Sequence, residues 1–166
     1  MRTGDGPQTA MKSILVLGIG NILLADEGVG VHVVREMIAR AADGRLALPE
    51  DVELLDGGTA GIDLLDVLAG RRKVVVIDAV EADAAPGSVL RLTPDDLAGR
   101  PAADLSLHEL GLLETLAMGE ALGHPPQQVV IFGIVPKTID AGLDLTAEAA
   151  AAVEKTVSLV AEELTR

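Results

Sequence analysis

One stretch constrains what this chain can fold into more than any other: Leu15-Val16-Leu17-Gly18-Ile19-Gly20-Asn21-Ile22-Leu23-Leu24-Ala25-Asp26-Glu27-Gly28-Val29-Gly30. It opens on an aliphatic run that reads as a strand over 12–17, buried on both faces as in a parallel sheet. A Gly-x-Gly turn follows, then two adjacent acids at the start of a helix. A strand that ends in such a turn and feeds a helix is where open α/β sheets build their ligand sites. A phosphate site would leave the backbone N–H groups bare at this point. This turn delivers carboxylates instead.

The rest of the chain fits an α/β reading. The acids lead into a helix over 27–41, with Val29, Val33, Met37 and Ala41 at four-residue spacing, and Asp43-Gly44 ends it. A second strand over 52–55 is closed by Asp56-Gly57-Gly58-Thr59, and Ile62, Leu65 and Leu68 begin a helical stripe that stops at Gly70. Val74-Val75-Val76-Ile77-Asp78 is the clearest buried strand. Pro86-Gly87 then turns the chain into a short edge strand over 88–92. The segment 93–104 reads as a polar loop. A third helix over 107–122 carries Leu112, Leu113, Leu116 and Ala117 inward and is broken by Gly123-His124-Pro125-Pro126. A last core strand covers 129–133, and Thr146 starts the final helix, with Glu148 close behind. Strands alternating with helices predict a mainly parallel sheet of about five strands covered by helices. A chain of 166 residues without repeat or linker suits one domain over 11–166, preceded by a flexible polar tail over 1–10.

Composition matters here for what it excludes. With one Phe and no Trp or Tyr, the core is aliphatic and no aromatic platform is available for stacking bases or sugars. A net charge of -13 disfavours nucleic acid and anionic membranes as partners. The absence of cysteine removes disulfides, thiolate metal sites and a cysteine nucleophile. No apolar run reaches the roughly 18 residues a membrane span needs, and the first ten residues lack the apolar core of a signal peptide. A soluble cytoplasmic protein is the expectation.

In a parallel sheet the C-terminal strand ends share one edge, and ligands bind there. That edge collects Gly18, Gly20, Asn21, Asp26 and Glu27 from the first strand, and Asp56, Gly57, Gly58 and Thr59 from the second. The third strand adds Asp78, with Glu81 and Asp83 just beyond, and the approach to the third helix adds Ser106 and His108. Carboxylates converging with an imidazole form a donor set suited to a first-row divalent metal. Plainer roles exist for each residue: Glu27 favours a helix N-terminus by charge alone, Asp78 could close a turn, and His108 could be structural. His32 and His124 are weaker candidates. Other chemistries find no support. The third glycine of a dinucleotide fingerprint would fall at Leu23. There is no Walker motif and no Gly-x-Ser-x-Gly elbow, and after His108-Glu109 the second His of a zinc-protease motif is replaced by Leu112.

Four blocks in order are similar to the nickel–iron hydrogenase maturation endopeptidases. They are Leu17 to Gly30 as quoted above, Asp56-Gly57-Gly58-Thr59-Ala60-Gly61, Ile77-Asp78-Ala79 with Pro86-Gly87, and Ser106-Leu107-His108-Glu109-Leu110-Gly111. The resemblance runs from about Lys12 to the C-terminus. It implies a three-layer α/β/α sandwich with one short antiparallel strand, over 88–92. It also implies a peptide-bond hydrolase that removes a C-terminal extension from the hydrogenase large-subunit precursor after nickel insertion. The family's metal-binding and catalytic Glu, Asp and His fall on Glu27, Asp78 and His108, and its substrate-recognition segment falls on Asp56, Gly57 and Gly58. Nickel would come with the precursor as the recognition element, with no organic cofactor, and the enzyme would act as a monomer. Two rivals stand beside it: a metal-binding maturation chaperone using the same ligands without protease activity, and a peptidyl-tRNA hydrolase-like enzyme. The latter should carry a basic RNA face and a histidine soon after Asn21, where this chain has Asp26-Glu27.

Overall fold

The computed structural model describes residues 11–59 and 63–166. The expected tail over 1–10, Ala60 and Gly61 of the second block, and Ile62 of the second helical stripe lie outside the described residues.

Five strands form one sheet: β1 (Ile14–Ile19), β2 (Val52–Gly58), β3 (Lys73–Ala79), β4 (Val89–Leu92) and β5 (Val129–Ile134), in the order β2-β1-β3-β5-β4. All pairings are parallel except β4 against β5, so the short strand after Pro86-Gly87 is the expected antiparallel edge. The helices are α1 (Val29–Ala42), α2 (Leu64–Leu68), α3 (Pro94–Ala98), α4 (Leu107–Ala121) and α5 (Ala147–Glu163).

Strand periodicity sorts them into layers. Val75, Ile77, Val130 and Phe132 face α1 and α5, packing with Val33, Met37, Ala152 and Val160. Val74, Val76, Leu15 and Leu17 point the other way, to Leu64 and Leu68 of α2, Leu97 of α3 and Leu112 of α4. The result is a three-layer α/β/α sandwich with an aliphatic core on each side of the sheet. β1 and β3 are buried along their whole lengths, as their unbroken apolar runs require.

Several boundaries differ from the sequence reading. The acids do not open α1: Ala25–Gly28 forms a separate 3-10 turn, and α1 begins at Val29. Ala41 is exposed, and so is Ala117 of the α4 stripe, while Leu113 and Leu116 are half-buried and Thr115 and Gly119 are buried instead. Thr115 is tolerated there because its hydroxyl donates to the Gly111 carbonyl at 2.7 Å. Asp56-Gly57-Gly58 does not close β2 but forms its last residues. The segment 93–104 is not a plain loop. Thr93 caps α3, exchanging bonds with Asp96 in a capping box with Pro94 at the first helical position, and Ala102–Asp104 adds a 3-10 turn.

The chain enters β2 on one side of β1 and β3 on the other, so a topological switch point falls at the C-terminal ends of β1 and β3. Backbone contact shapes that crevice. A Cβ on Gly30 would lie 2.1 Å from the Ile77 carbonyl oxygen and 2.5 Å from that of Ile19. The first turn of α1 therefore rests directly on the strand ends. Gly20, at φ 137°, brings its backbone against the Glu27 carbonyl, where a Cβ would come within 2.0 Å.

At the opposite sheet edge lies a different kind of polar site. Glu163 of α5 is 1% exposed and accepts from Lys73 Nζ at 2.7 Å, Arg91 Nε at 2.9 Å and Arg166 Nη1 at 3.4 Å. Hydrogen bonding from Arg91 and then Lys73 outweighs burial and pulls its carboxyl down to about 2. Among the described residues, no helix is long and apolar enough to cross a membrane.

Candidate active site

The turn after β1 is built locally. The Gly20 N–H donates to the Gly58 carbonyl at 2.8 Å, and the Asn21 side chain accepts from Leu23 N at 3.0 Å. Ala25 takes the left-handed conformation at φ 47°, which costs a residue with a Cβ on the order of 1–2 kcal/mol. Asp26 is fully buried, and Glu27, half-buried, faces a cavity of about 360 Å³.

The opposing wall of that cavity is the N-terminus of α4. Ser106 is its N-cap, accepting from Glu109 N at 3.1 Å, while Glu109 Oε2 accepts from Ser106 N at 2.6 Å. This capping box fixes the first turn, and His108 sits within it, lining the cavity with Glu27, Ser106 and Glu109. Arg100 ties this turn to the loop after β3. Its guanidinium donates to Glu109 Oε1 at 3.4 Å and to the Glu81 carbonyl.

Asp78, 1% exposed, is the penultimate residue of β3, immediately before Ala79, which lines the same cavity. Its Oδ1 accepts from Ala79 N at 2.8 Å, but Oδ2 is buried with no partner. Burial, followed by the nearby charge of Glu109 and then of Glu27, pushes its carboxyl well above the ordinary range. His108 Nδ1 is likewise buried and unpartnered. Buried polar atoms nearly always have partners, so His108 Nδ1 in the cavity lining and Asp78 Oδ2 buried next to it leave two groups open to a ligand. The donors, two carboxylates and an imidazole, fit a divalent first-row metal in kind. Among the described residues, no three His, Cys, Asp or Glu side chains stand close enough together to hold an ion. Glu27 and His108 line one cavity and Asp78 is buried next to Ala79 of its lining; the three do not form a cage.

Asp56 and Gly58 line a neighbouring groove, while a Cβ on Gly57 between them would meet Leu17 and Ile19 of β1. Asp56 Oδ1 accepts from Gly58 N at 3.0 Å, and Oδ2 accepts from Arg35 Nε at 2.8 Å. Asp56, Gly58, Arg35 and Asn21 line this groove of about 300 Å³, and Asn21 also lines the Glu27 cavity. The structure thus brings Glu27 and His108 to one cavity, with Asp78 buried next to Ala79 of its lining, and sets Asp56 and Gly58 on the groove beyond Asn21. Glu81 lines both the Glu27 cavity and a wider adjoining cleft of about 490 Å³, and Asp83 lines only the latter.

The remaining histidines stand apart from this cavity. His124 is exposed, its carbonyl accepting from Gly70 N at 3.1 Å. His32 is half-buried in α1, where burial and then Arg35 push its imidazole down, opposed by Asp144. Its Nε2 is a third unpartnered buried atom.

Sequence reasoning left Asp26 and Glu109 without roles. The Glu109 role is legible in the spacing Ser106-x-x-Glu109, a capping-box signature. The Asp26 role is not. Burial pushes its carboxyl up, yet bonds from Thr146, Lys137 and Thr138 outweigh burial and leave it below the ordinary range. Those partners lie more than a hundred residues downstream.

A family model described as hydrogenase maturation protease matches residues 31–163. The chain is 36% identical to the hydrogenase 2 maturation protease of Escherichia coli K12 over 148 residues, 89% of this chain and 87% of that protein. It is 37% identical over 135 residues to the hydrogenase expression/formation protein HupD of Rhodobacter capsulatus, covering 81% of this chain and 62% of that longer protein. Among solved structures, the hydrogenase maturating endopeptidase HybD from E. coli aligns at a TM-score of 0.79 and 36% identity, covering 92% of this chain and 91% of that one. A [NiFe] hydrogenase maturation protease HybD from Thermococcus kodakarensis aligns at 0.70 and 30% identity, covering 92% and 99%.

Proposed function

This chain belongs to the hydrogenase maturation protease family, and on that premise we propose that it removes the C-terminal extension of a nickel–iron hydrogenase large-subunit precursor once nickel has been inserted. It does so in the cytoplasm, as a monomer, with no organic cofactor. The nickel carried by the precursor is the element it recognises. Family membership sets aside the peptidyl-tRNA hydrolase and non-enzymatic chaperone readings.

The observation that carries the proposal is the pair of orphaned atoms, Asp78 Oδ2 and His108 Nδ1, beside the cavity that Glu27 lines. A precursor bearing a divalent metal would bring a cation for these donors to engage as it seats in the cavity. A precursor without metal supplies none, so the three residues act as a check on maturation. The open arrangement of the donors suits an ion that arrives with the substrate and leaves with the product. The Asp56-Gly57-Gly58 groove lies next to this site, and we assign it to recognition of the precursor.

The reaction is hydrolysis. Water oxygen bonds to the scissile carbonyl carbon, the C–N bond breaks, and a proton passes to the departing amine. With no cysteine in the chain and no activated serine in the cavity, water is the nucleophile, and a bound metal would supply Lewis-acid polarisation.

The test is to incubate the purified enzyme with nickel-loaded and nickel-free precursor and follow loss of the C-terminal tail by mass. Cleavage of the loaded form alone is expected. Equal cleavage of both forms overturns the metal check, and cleavage of neither overturns the proposed activity.

A further inference from the structure

Asp26 precedes Glu27 and is 0% exposed. Its Oδ1 accepts from Thr146 N at 2.8 Å. Its Oδ2 accepts from Lys137 N at 2.9 Å, Thr138 N at 3.4 Å and Thr146 Oγ1 at 2.7 Å. Backbone bonds extend the join: Asp26 N donates to the Thr138 carbonyl at 3.2 Å, Ala25 N to that of Gly142 at 2.8 Å, and Gly142 N to that of Leu23 at 2.9 Å. Every partner of the turn in this set belongs to the segment between β5 and α5.

That segment is part of the site. Pro136 and Ile139 line the cavity shared by Glu27 and His108, and Lys137 and Thr138 continue into the adjoining cleft. Helix capping of α1 does not account for Asp26, since α1 starts at Val29 and neither it nor the preceding 3-10 turn has a side-chain cap. The bonds instead cross between two segments far apart in sequence. They also orient Thr146: its hydroxyl proton goes to Asp26, leaving the oxygen lone pair to accept from Ala149 N at 3.3 Å and cap α5.

We infer that Asp26 is a positioning residue, whose carboxylate locks the Glu27 turn and the β5–α5 segment into one rigid wall of the active site. Glu27 and that segment then move as a unit. The left-handed Ala25 is held in place by the same set of bonds. This inference rests on the proposed role of Glu27 in precursor cleavage.

The experiment compares the full-length enzyme with Asp26→Asn, Thr146→Val, Thr146→Ser and, as a distant buried-carboxylate control, Glu163→Gln. Hydrogen exchange is followed in 25–28 and 137–146 against β3. Cleavage of nickel-loaded precursor is measured at a temperature where circular dichroism shows every variant folded. An Asn side chain offers one acceptor oxygen where four donors converge, so Asp26→Asn should speed exchange in both segments together. It should also lower kcat on the order of a hundredfold with little change in KM, the usual scale for a misplaced reacting group. Thr146→Ser should recover the activity that Thr146→Val loses, and Glu163→Gln should lose stability but not kcat. Exchange that rises in one segment only or in neither overturns the inference, as does an Asp26→Asn kcat equal to that of Glu163→Gln. If Asp26→Asn does not fold, the two Thr146 variants decide the question by the same criteria. Glu27→Gln in the same assay separates the two readings. Wild-type cleavage by that variant removes Glu27 from the reaction, and coupled exchange then judges the rigid wall on its own.

Discussion

Asp78 and Glu163 are equally buried, each 1% exposed, at opposite edges of one sheet. Glu163 faces Lys73, Arg91 and Arg166, and its carboxyl is pulled down to about 2. Asp78 has one backbone donor, an unpartnered oxygen and two carboxylates nearby, and its carboxyl is pushed well up. The same functional group at the same depth is satisfied in one place and starved in the other. Strongly shifted buried carboxylates of the second kind cluster at functional sites. The contrast separates a carboxylate that holds the molecule together from one that the fold leaves without a full set of partners.

The largest expected effects are on chemistry. His108→Ala and Asp78→Asn should each abolish precursor processing while far-ultraviolet circular dichroism stays that of the wild type. Full activity in either variant would remove that residue from the site. Asp78→Asn should also unfold at a higher temperature than the wild type at neutral pH. A raised folded-state pKa means that the folded protein binds the extra proton above the unfolded value of 3.8, so stability falls as pH rises beyond it. The substitution removes that slope.

Next in size is Glu163→Ala. It strands Lys73, which is nearly as buried, and should destabilise by about 3–5 kcal/mol in urea unfolding while leaving kcat on loaded precursor unchanged. Loss of activity in the folded variant would break the division between the two edges. Smaller, and opposite in sign to the Asp78 effect, is the acid dependence of that network. With its carboxyl depressed from 4.5 to about 2, Glu163 contributes stability that is complete above pH 4.5 and lost as pH falls toward 2. The loss amounts to roughly 3 kcal/mol, and Glu163→Gln should flatten it. The smallest change is Arg91→Met. This side chain is 43% exposed and solvent screens it, so about 1 kcal/mol or less is expected.

The sequence made one of the two regions legible and hid the other. Glu27, Asp78 and His108 stand out in the sequence because each sits near the end of a strand or the start of a helix, and parallel strands bring such positions to one edge by topology alone. The edge strand β4 is readable for a similar reason, since Pro86-Gly87 reverses the chain just before it. Lys73 and Glu163 look like surface charges in the sequence because their pairing crosses 90 residues. Asp26 is harder still. Its carboxylate serves donors at Lys137, Thr138 and Thr146, most of them backbone N–H groups, which have no residue-type signature. The short helix α3 is hard to read for a different reason: Thr93-x-x-Asp96 does announce a cap, but a helix of five residues, Pro94–Ala98, is too short to show a period.

The seating of Gly30 on the carbonyls of Ile19 and Ile77 has one more consequence. Side chains do not enter that contact, so the span between the Glu27 turn and the end of β3 is set by peptide geometry and van der Waals radii alone. It behaves as a ruler cut from backbone. The aliphatic cores on either side of the sheet could be resized by substitution, with stability rising or falling, and the ruler would still read the same length. Variation among relatives should therefore be free in the cores and forbidden at Gly30, where even alanine would lengthen the gauge.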